Sequence, residues 1–298
     1  MKTRHRLRLV SLSAFALLLL PISARADFVD QEVGARGQAM GGAFVAMNGD
    51  PSHIFWNPAS ILSDEHGVQV EGMRTSLYDG LDGLSEDFLG ASAQLAGSWA
   101  LGFGWTRTGL KDIYHEDVLT AGVAKSLLGK RLSFGVSALF YGASAPGYEA
   151  LNDPNYNGAQ WESSFSLGML YHVKENLQVG ASFENLLRPT IQLVSTSTDV
   201  REIGGRRRFG MAYLLEDIVW LSAEVRHHDI PPYVGGNWTA HFGAEAWFED
   251  VLALRAGIDD SDLTAGMGLL VSMVRLDLSL LTHERLGNTY RASVNLRF

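Results

Sequence analysis

The feature that most constrains the fold is a two-residue alternation of apolar and polar side chains at the end of the chain. Between Asn288 and Phe298, apolar residues take one set of alternate positions and polar residues the other: Tyr290, Ala292, Val294, Leu296 and Phe298 against Arg291, Ser293, Asn295 and Arg297. This period is typical of a β-strand, whose successive side chains point to opposite faces. The segment 274–280 alternates in the same way, and Glu284-Arg285-Leu286-Gly287 between the two predicts a hairpin turn.

The same alternation recurs along the chain and predicts fourteen strands of about ten residues each. They lie near 67–78, 86–96, 98–108, 115–126, 131–142, 161–173, 176–187, 205–215, 217–228, 237–248, 251–258, 261–271, 273–283 and 288–298. An even number of antiparallel strands of this length is typical of a bacterial membrane barrel. The sequence therefore predicts an all-β fold, a transmembrane antiparallel β-barrel of about fourteen strands.

The predicted connections separate this barrel from its alternative, an exported β-sandwich. The longest ones, near 143–160, 188–204 and 229–236, all follow odd-numbered strands, whereas even-numbered connections such as Gly97 and Lys174-Glu175 are minimal. Membrane barrels have short turns at one end and long loops at the other. A sandwich also alternates apolar and polar residues but has no reason to sort its loops by length, so the barrel is favoured.

Residues 1–26 predict a signal peptide. Basic residues precede an apolar run from Leu9 to Leu20, and Ala24-Arg25-Ala26 is a cleavage motif of the A-x-A type, so cleavage is expected after Ala26. The run is too short to span a membrane as a helix, and no later apolar run approaches eighteen residues. An exported chain in a membrane without such a helix is expected in the outer membrane as a closed barrel.

Composition excludes several classes of function. Acidic residues outnumber basic ones, 33 to 24, and five of the basic residues lie in the signal peptide, so a nucleic-acid partner is not expected. Cysteine is absent, which removes disulfides, thiolate metal sites and cysteine nucleophiles. His227 and His228 are adjacent and point to opposite faces of a strand, and no G-x-S-x-G motif is present. The sequence predicts no catalytic site, metal site or cofactor.

The segment from Gly34 to Ile61 is glycine-rich and has no strand pattern. Fourteen strands enclose more space than side chains alone can fill, because about eight strands already give a packed interior. The lumen therefore needs water or a plug, and this segment arrives before the first strand. We predict a luminal plug at 27–62 and a barrel at 63–298. Glycines in the predicted strands, Gly102, Gly104, Gly266 and Gly268, indicate places where the wall approaches the plug or kinks.

This segment also carries a family resemblance. The pattern GARGQAMGGAFVA, a turn containing Asp50, and then WNPAS resembles the start of FadL-type outer-membrane barrels, especially their PorV/PorQ-like branch. In that family the matching segment folds into the lumen as a hatch, which includes the Asn-Pro-Ala triplet. The resemblance implies hatch roles for the matching positions Gly34, Arg36, Gly41, Gly42, Asp50, Asn57, Pro58 and Ala59. The end of the chain resembles the signal recognised by barrel-assembly machinery, carried here by Tyr290, Val294, Leu296 and Phe298.

Alternation places ten charged residues on the inward face: Glu71, Glu184, Glu224, Arg226, Glu245, Arg255, Arg275, Asp277, Arg291 and Arg297. They form either a charged path that selects a permeant or, as we favour, ion pairs that brace the wall and hold the plug. Arg36 is expected to pair with one of the inward carboxylates.

Two functions remain open, besides the expected contacts with outer-membrane lipid and with barrel-assembly machinery. Resemblance to FadL implies transport of a hydrophobic or amphipathic small molecule, which we favour. Resemblance to PorV/PorQ implies an accessory barrel of a type IX-like secretion or surface-attachment system, with a secreted protein as client. A diffusion porin ranks third because a plug should occlude the pore.

Overall fold

The structure, a computed structural model, describes residues 32–62, 67–79, 83–149, 151–196, 201–229, 237–283 and 287–298. The expected signal peptide, the first residues of the expected plug at 27–31 and the turn residues 284–286 lie outside the described residues.

Fourteen long strands form a closed antiparallel barrel in which each strand pairs with its neighbours along the chain, and the first pairs with the last. They are β1 Val68–Ser76, β2 Leu84–Leu95, β3 Trp99–Leu110, β4 Tyr114–Leu127, β5 Leu132–Ser144, β6 Gln160–Lys174, β7 Leu177–Glu184, β10 Arg206–Leu215, β11 Val219–His228, β12 Asn237–Phe248, β13 Leu252–Asp259, β14 Asp262–Val271, β15 Val274–Leu281 and β16 Thr289–Arg297. Two short strands, β8 Thr190–Ile191 and β9 Arg201–Glu202, form a separate ribbon in the connection between β7 and β10.

The predicted all-β barrel of fourteen strands is confirmed, and every predicted strand is present. The largest difference in bounds is at β7, which ends at Glu184 rather than near residue 187. The chain there turns into the loop that carries the ribbon, at Asn185, which has a positive φ of 54°. The ribbon was not predicted, because strands of two residues carry no periodic signal.

The two ends of the barrel differ in the length of their connections. At one end, the short-turn end, the connections have two to four residues, such as 175–176 and 216–218. Glu216 and Asp217 both have positive φ, and so do Glu249 and Asp250, which is the backbone geometry of tight hairpin turns. The opposite, loop end carries the long connections 145–159 and 185–205. The predicted sorting of loops is confirmed for these two connections, whereas residues 230–236 of the third lie outside the described residues. Long connections at one end suit a barrel whose loop end faces the cell exterior.

The barrel is apolar outside and polar inside. In β16, Tyr290 and Val294 are more than 40% exposed on the outward face, whereas Ser293 and Asn295 are buried on the inward face. Leu, Phe, Val and Ile side chains are exposed around the whole wall, an arrangement that is stable only in a hydrocarbon environment. Among the described residues, no helix is long and apolar enough to cross a membrane.

Residues 32–62, called the luminal segment below, lie inside the barrel. They include helix α1 Ala35–Ala39, helix α2 His53–Trp56 and a 3₁₀ turn at Pro58–Ile61, with irregular backbone between them. A third short helix, α3 Pro146–Glu149, lies in the connection between β5 and β6. Almost every residue of the luminal segment is buried although little of it is regular structure. Its buried polar backbone must therefore find partners on the barrel wall.

Candidate functional site

Glycines on the inward face of the wall let the backbone of the luminal segment approach it closely. A Cβ atom added to Gly180 of β7 would lie 2.3 Å from the carbonyl oxygen of Val45, and one on Gly243 of β12 would lie 2.3 Å from that of Met40. Many of these glycines face each other across neighbouring strands, as Gly135–Gly168, Gly180–Gly210 and Gly243–Gly257. Only a wall without side chains at these points can accommodate a segment in a barrel of this size.

The sequence predicted that the wall approaches the luminal segment at four strand glycines, and the structure confirms this at three of them. Cβ atoms on Gly102 and Gly104 would contact Ile54, and one on Gly266 would lie 2.5 Å from the Cβ of Ala39. Gly268 is different, since its nearest atoms belong to wall side chains rather than to the luminal segment.

A closed ring of six charged side chains joins the luminal segment to the wall. Arg36 donates to Glu245 at 2.7 and 2.8 Å and to Asp50 at 2.9 Å. Asp50 pairs with Arg275 at 2.7 Å. The remaining contacts lie within the wall, where Asp277 pairs with both Arg275 and Arg255, and Arg255 returns to Glu245, at 2.6 to 2.8 Å. Three guanidinium groups and three carboxylates alternate around this charge ring.

Electrostatic balance keeps Arg36 and Asp50, the two members of the charge ring from the luminal segment, ionised although they are buried. The side chains of Arg36 and Asp50 are 11% and 1% exposed. Burial alone would raise the pKa of the Asp50 carboxyl, but Arg275 and Arg36 hold that pKa well below its usual range. Burial likewise opposes the charge of Arg36, yet Glu245 and Asp50 keep its pKa raised. The predicted pairing of Arg36 with an inward carboxylate is confirmed by this geometry.

A second set of wall side chains binds the backbone of the luminal segment at residues 41–45. The carboxylate of Glu224 accepts hydrogen bonds from the amides of Phe44 and Val45 at 3.0 and 2.9 Å. Ser222 donates to the carbonyl of Ala43 at 2.6 Å, and Arg226 donates to that of Gly42 at 3.2 Å. These bonds hold buried amide and carbonyl groups that lie outside the helices and strands.

Gly41 and Gly42 have backbone conformations that favour glycine. Their φ angles are +63° and +70°, in the left-handed region. A Cβ on Gly41 would also lie 2.5 Å from the carbonyl oxygens of Phe242 and Ile258 in the wall. Gly34 has a positive φ of 91° too, and its Cβ would meet the Ser52 hydroxyl at 2.9 Å.

The Asn57-Pro58-Ala59 triplet forms a capped turn that is fixed to the wall. The side-chain oxygen of Asn57 accepts from the amide of Ala59 at 3.0 Å, and its amide nitrogen donates to the carbonyls of Val45 at 2.8 Å and Met169 at 3.0 Å. Pro58 begins the 3₁₀ turn, where its missing N–H is not needed. Asn57 thus joins two parts of the luminal segment and β6.

Trp56 is a central residue that the sequence did not mark as functional. Its indole N–H donates to the carbonyl of Val33 at 2.9 Å, and the guanidinium of Arg208 lies 4.6 Å from its ring centroid. Phe44 packs edge-on against the same ring, with centroids 5.5 Å apart.

One side of the lumen carries a buried apolar cluster, called the apolar face below, among polar residues such as Glu71 and Thr120. Inward-facing residues of β1 to β5 form a contiguous buried cluster with Ile54, Phe55 and Ile61 of the luminal segment, with Ile191 of the loop-end ribbon and with Ile203 next to that ribbon. The wall residues of this apolar face are Met73, Phe88, Ala100, Val118, Ala124, Leu139, Tyr141 and Ala143. Phe55 contacts it edge-on at Phe88, with ring centroids 5.9 Å apart. The apolar face therefore extends alongside the luminal segment, from the loop end to Ala100 near the short-turn end.

The other predicted residues lie as follows. All ten charged residues assigned to the inward face are on it, buried or nearly so. Tyr290, Val294 and Phe298 are exposed outward and Leu296 is partly buried, and their role in barrel assembly stays a prediction. In the part of the chain that the structure describes, no group of three or more histidine or acidic side chains is placed to bind a metal ion.

Comparison with known proteins identifies the fold. No family model matches the chain, and no curated protein sequence matches it significantly. Solved structures do: the CymD monoaromatic hydrocarbon channel has a TM-score of 0.67 at 14% identity, covering 89% of this chain and 97% of that one. The Pseudomonas putida toluene transporter TodX has a TM-score of 0.63 at 15% identity, covering 91% and 98%. A Pseudomonas aeruginosa FadL homologue has a TM-score of 0.66 at 14% identity, covering 92% and 100%.

These likenesses show that the chain shares the fold of these barrels. At such low identity they establish the fold and not the cargo. Nothing in them supports the PorV/PorQ-like secretion accessory.

Proposed function

We propose that this protein is an outer-membrane channel, not an enzyme, that passes small hydrophobic molecules and is closed by its luminal segment. The observation that carries the proposal is the apolar face, which follows the wall alongside the luminal segment from the loop end to Ala100. A pore for ions or sugars has no use for such a surface, because polar solutes gain nothing from apolar contacts. A hydrophobic solute gains roughly 25 cal/mol per Å² of its surface removed from water.

The luminal segment is proposed as the plug. It is buried and contacts the wall on several sides, through Met40 at β12, Val45 at β7 and Ala59 at β5. Its polar backbone and charged side chains are bound by wall side chains, so ions would need to break those contacts to pass. The FadL-type fold of the hydrocarbon channels named above supports the same interpretation.

The test is the uptake of radiolabelled toluene by bacterial cells that lack a hydrocarbon channel of their own and express this chain. Wild-type protein should accelerate uptake of toluene and leave sucrose uptake unchanged. Leu139→Asn places an amide on the apolar face and should reduce toluene uptake by about tenfold, because one buried Leu contributes about 1.5–3 kcal/mol of apolar contact.

Leu139→Met is the matched control, since it keeps the position apolar and should retain most of the uptake. Equal uptake by the two variants, with equal amounts of folded barrel in the membrane, would refute passage along the apolar face. Acceleration of sucrose rather than toluene would refute the proposed cargo class.

A further inference from the structure

An apolar groove of about 470 Å³ crosses the outward face of the wall between β3 and β7. Its sides are two rows of outward-facing side chains, and Gly135 and Gly168 contribute to its lining where they pair. The groove is a depression because Ala181 is small among larger outward-facing residues such as Phe134 and Phe183, and because Gly135 and Gly168, which face the lumen, present only backbone at its floor.

Strand register gives the groove a direction. In its lower row, Trp99 pairs with Lys125, Lys125 with Phe134, Phe134 with Met169, and Met169 with Ala181. Trp99 is the first residue of β3 at the short-turn end, whereas Ala181 lies in the middle of β7. The groove thus begins at the edge of the membrane-spanning wall and climbs towards its centre.

The edge of the groove carries a cation and an aromatic ring. The ammonium of Lys125 donates to the carbonyl of Gly97 and lies 4.8 Å from the ring centroid of Trp99. An ammonium group has three N–H donors, so it can bind a further oxygen while keeping this contact. An exposed tryptophan beside a lysine at a strand end is the arrangement expected at a membrane–water interface.

Charge at the short-turn end favours an anion on this side of the barrel. The turns beside the groove carry Lys130, Arg131 and Glu175, next to Lys174 at the end of β6. The turns beneath β10 to β13 are acidic instead, with Glu216, Asp217, Glu249 and Asp250 all exposed. An anionic group is therefore attracted to the edge at Lys125 and repelled from the opposite side.

A second groove provides a comparison within the same molecule. It has a volume of about 560 Å³ and lies over the pair Gly243–Gly257, lined by residues such as Phe242, Ile258 and Leu280. No basic residue lines it. The two grooves are alike in apolar character and differ in the cation.

We propose that the groove between β3 and β7 is a binding site for one anionic phospholipid of the membrane leaflet at the short-turn end. The phosphate group pairs with the Lys125 ammonium beside Trp99, and an acyl chain lies in the groove over Gly135 and Gly168. The luminal side of these two glycines contacts Asn57, Pro58 and Ala59, so the lipid lies one backbone thickness from the luminal segment. The site is independent of what the channel carries.

The experiment is native mass spectrometry of the full chain in mild detergent, with phosphatidylglycerol and phosphatidylcholine of identical acyl chains added in equal amounts. Wild-type protein should retain one phosphatidylglycerol, with a preference over phosphatidylcholine of about fivefold, the ratio expected for one lysine at a lipid surface. Lys125→Ala should remove that preference. Ala181→Phe, which fills the groove from the lipid side, should reduce retention of both lipids.

Lys174→Ala is the matched control, because it removes an ammonium at the same end outside the groove and should keep the preference. The folded state of each variant is checked by the gel-mobility shift between unheated and heated samples. Equal retention of the two lipids by wild type would overturn the proposal. So would retention of phosphatidylglycerol by folded Lys125→Ala and Ala181→Phe at the wild-type level.

Discussion

Arg36→Ala is the perturbation that tests most directly how the luminal segment is held. Arg36 is the cation that the luminal segment contributes to the charge ring, and it makes three charge-assisted hydrogen bonds of 2.7 to 2.9 Å. Its removal leaves the ring carboxylates of Asp50, Glu245 and Asp277 with two ring guanidinium groups, while Arg297 lies farther away, 3.7 Å from Asp50. The ring then carries an uncompensated negative charge in a buried site.

The magnitude follows from that uncompensated charge. Breaking a buried ion pair by removing one partner costs about 3–5 kcal/mol. This corresponds to a shift of about 150- to 5,000-fold in the equilibrium between docked and released luminal segment. Arg36→Ala combined with Asp50→Asn restores equal numbers of positive and negative charges in the ring. The change in docking free energy of the double variant should therefore be smaller than the sum of the changes in the two single variants.

Ion conductance in a planar bilayer measures the release. Arg36→Ala should open far more often than wild type, while the barrel still shows its gel-mobility shift because the strand ladders are intact. The control is Arg74→Ala, which breaks a 3.0 Å pair with Asp87 that is largely exposed and is worth at most about 1 kcal/mol. If folded Arg36→Ala conducts no more than Arg74→Ala, the charge ring does not hold the segment.

Three further predictions concern the same segment. Gly180→Ala should release it and raise conductance, because the new Cβ would lie 2.3 Å from the Val45 carbonyl, whereas Gly72→Ala, with open space around its Cβ, should not. Burial lowers the pKa of His53 to about 3 despite the attraction of Asp50, so the released segment takes up a proton below pH 6.5 and the docked one does not. Docking should therefore weaken by about 2 kcal/mol between pH 6.5 and pH 5, and His53→Gln should remove that dependence of conductance on pH. Asn57→Ala removes three hydrogen bonds that hold buried backbone groups and should make residues 32–62 accessible to a protease added from the short-turn end.

The sequence predicted the barrel wall well, because a strand between lipid and lumen must alternate at every residue. That rule also placed Glu245, Arg255, Arg275 and Asp277 on the inward face. It did not predict that they close a ring with the luminal segment, since this depends on how neighbouring strands are staggered. The pairing of Arg36 was predicted from its position in a glycine-rich segment that was expected to lie inside the barrel.

The apolar face was missed for a specific physical reason. Leu139 and Tyr141 face inward, while Phe140 between them faces lipid, so β5 has a run of apolar residues there rather than an alternation. A run of this kind predicts a strand but does not show that the inward-facing residues of that strand belong to an apolar surface in the lumen. The signal was present in the sequence as apolar residues at positions of the inward set, in β2, β4 and β5 together.

The two sides of the lumen differ in how strongly they oppose the passage of ions and of apolar solutes. This difference gives the proposed channel its selectivity. On the side of β12 to β15, charged pairs hold the luminal segment in one defined geometry. An ion that breaks such a pair forms no interaction of equal strength in return. On the side of β1 to β5, the side chains of Ile54, Phe55 and Ile61 contact the wall through apolar atoms, and one hydrogen bond of 2.9 Å joins Gln94 to the Ile61 carbonyl. Apolar contact is non-directional and depends mainly on area, so a hydrophobic solute that displaces Phe55 replaces the contacts it removes. The free energy of displacement is then a small difference between two similar terms for an apolar solute, whereas an ion meets the full cost of about 3–5 kcal/mol for each buried pair broken.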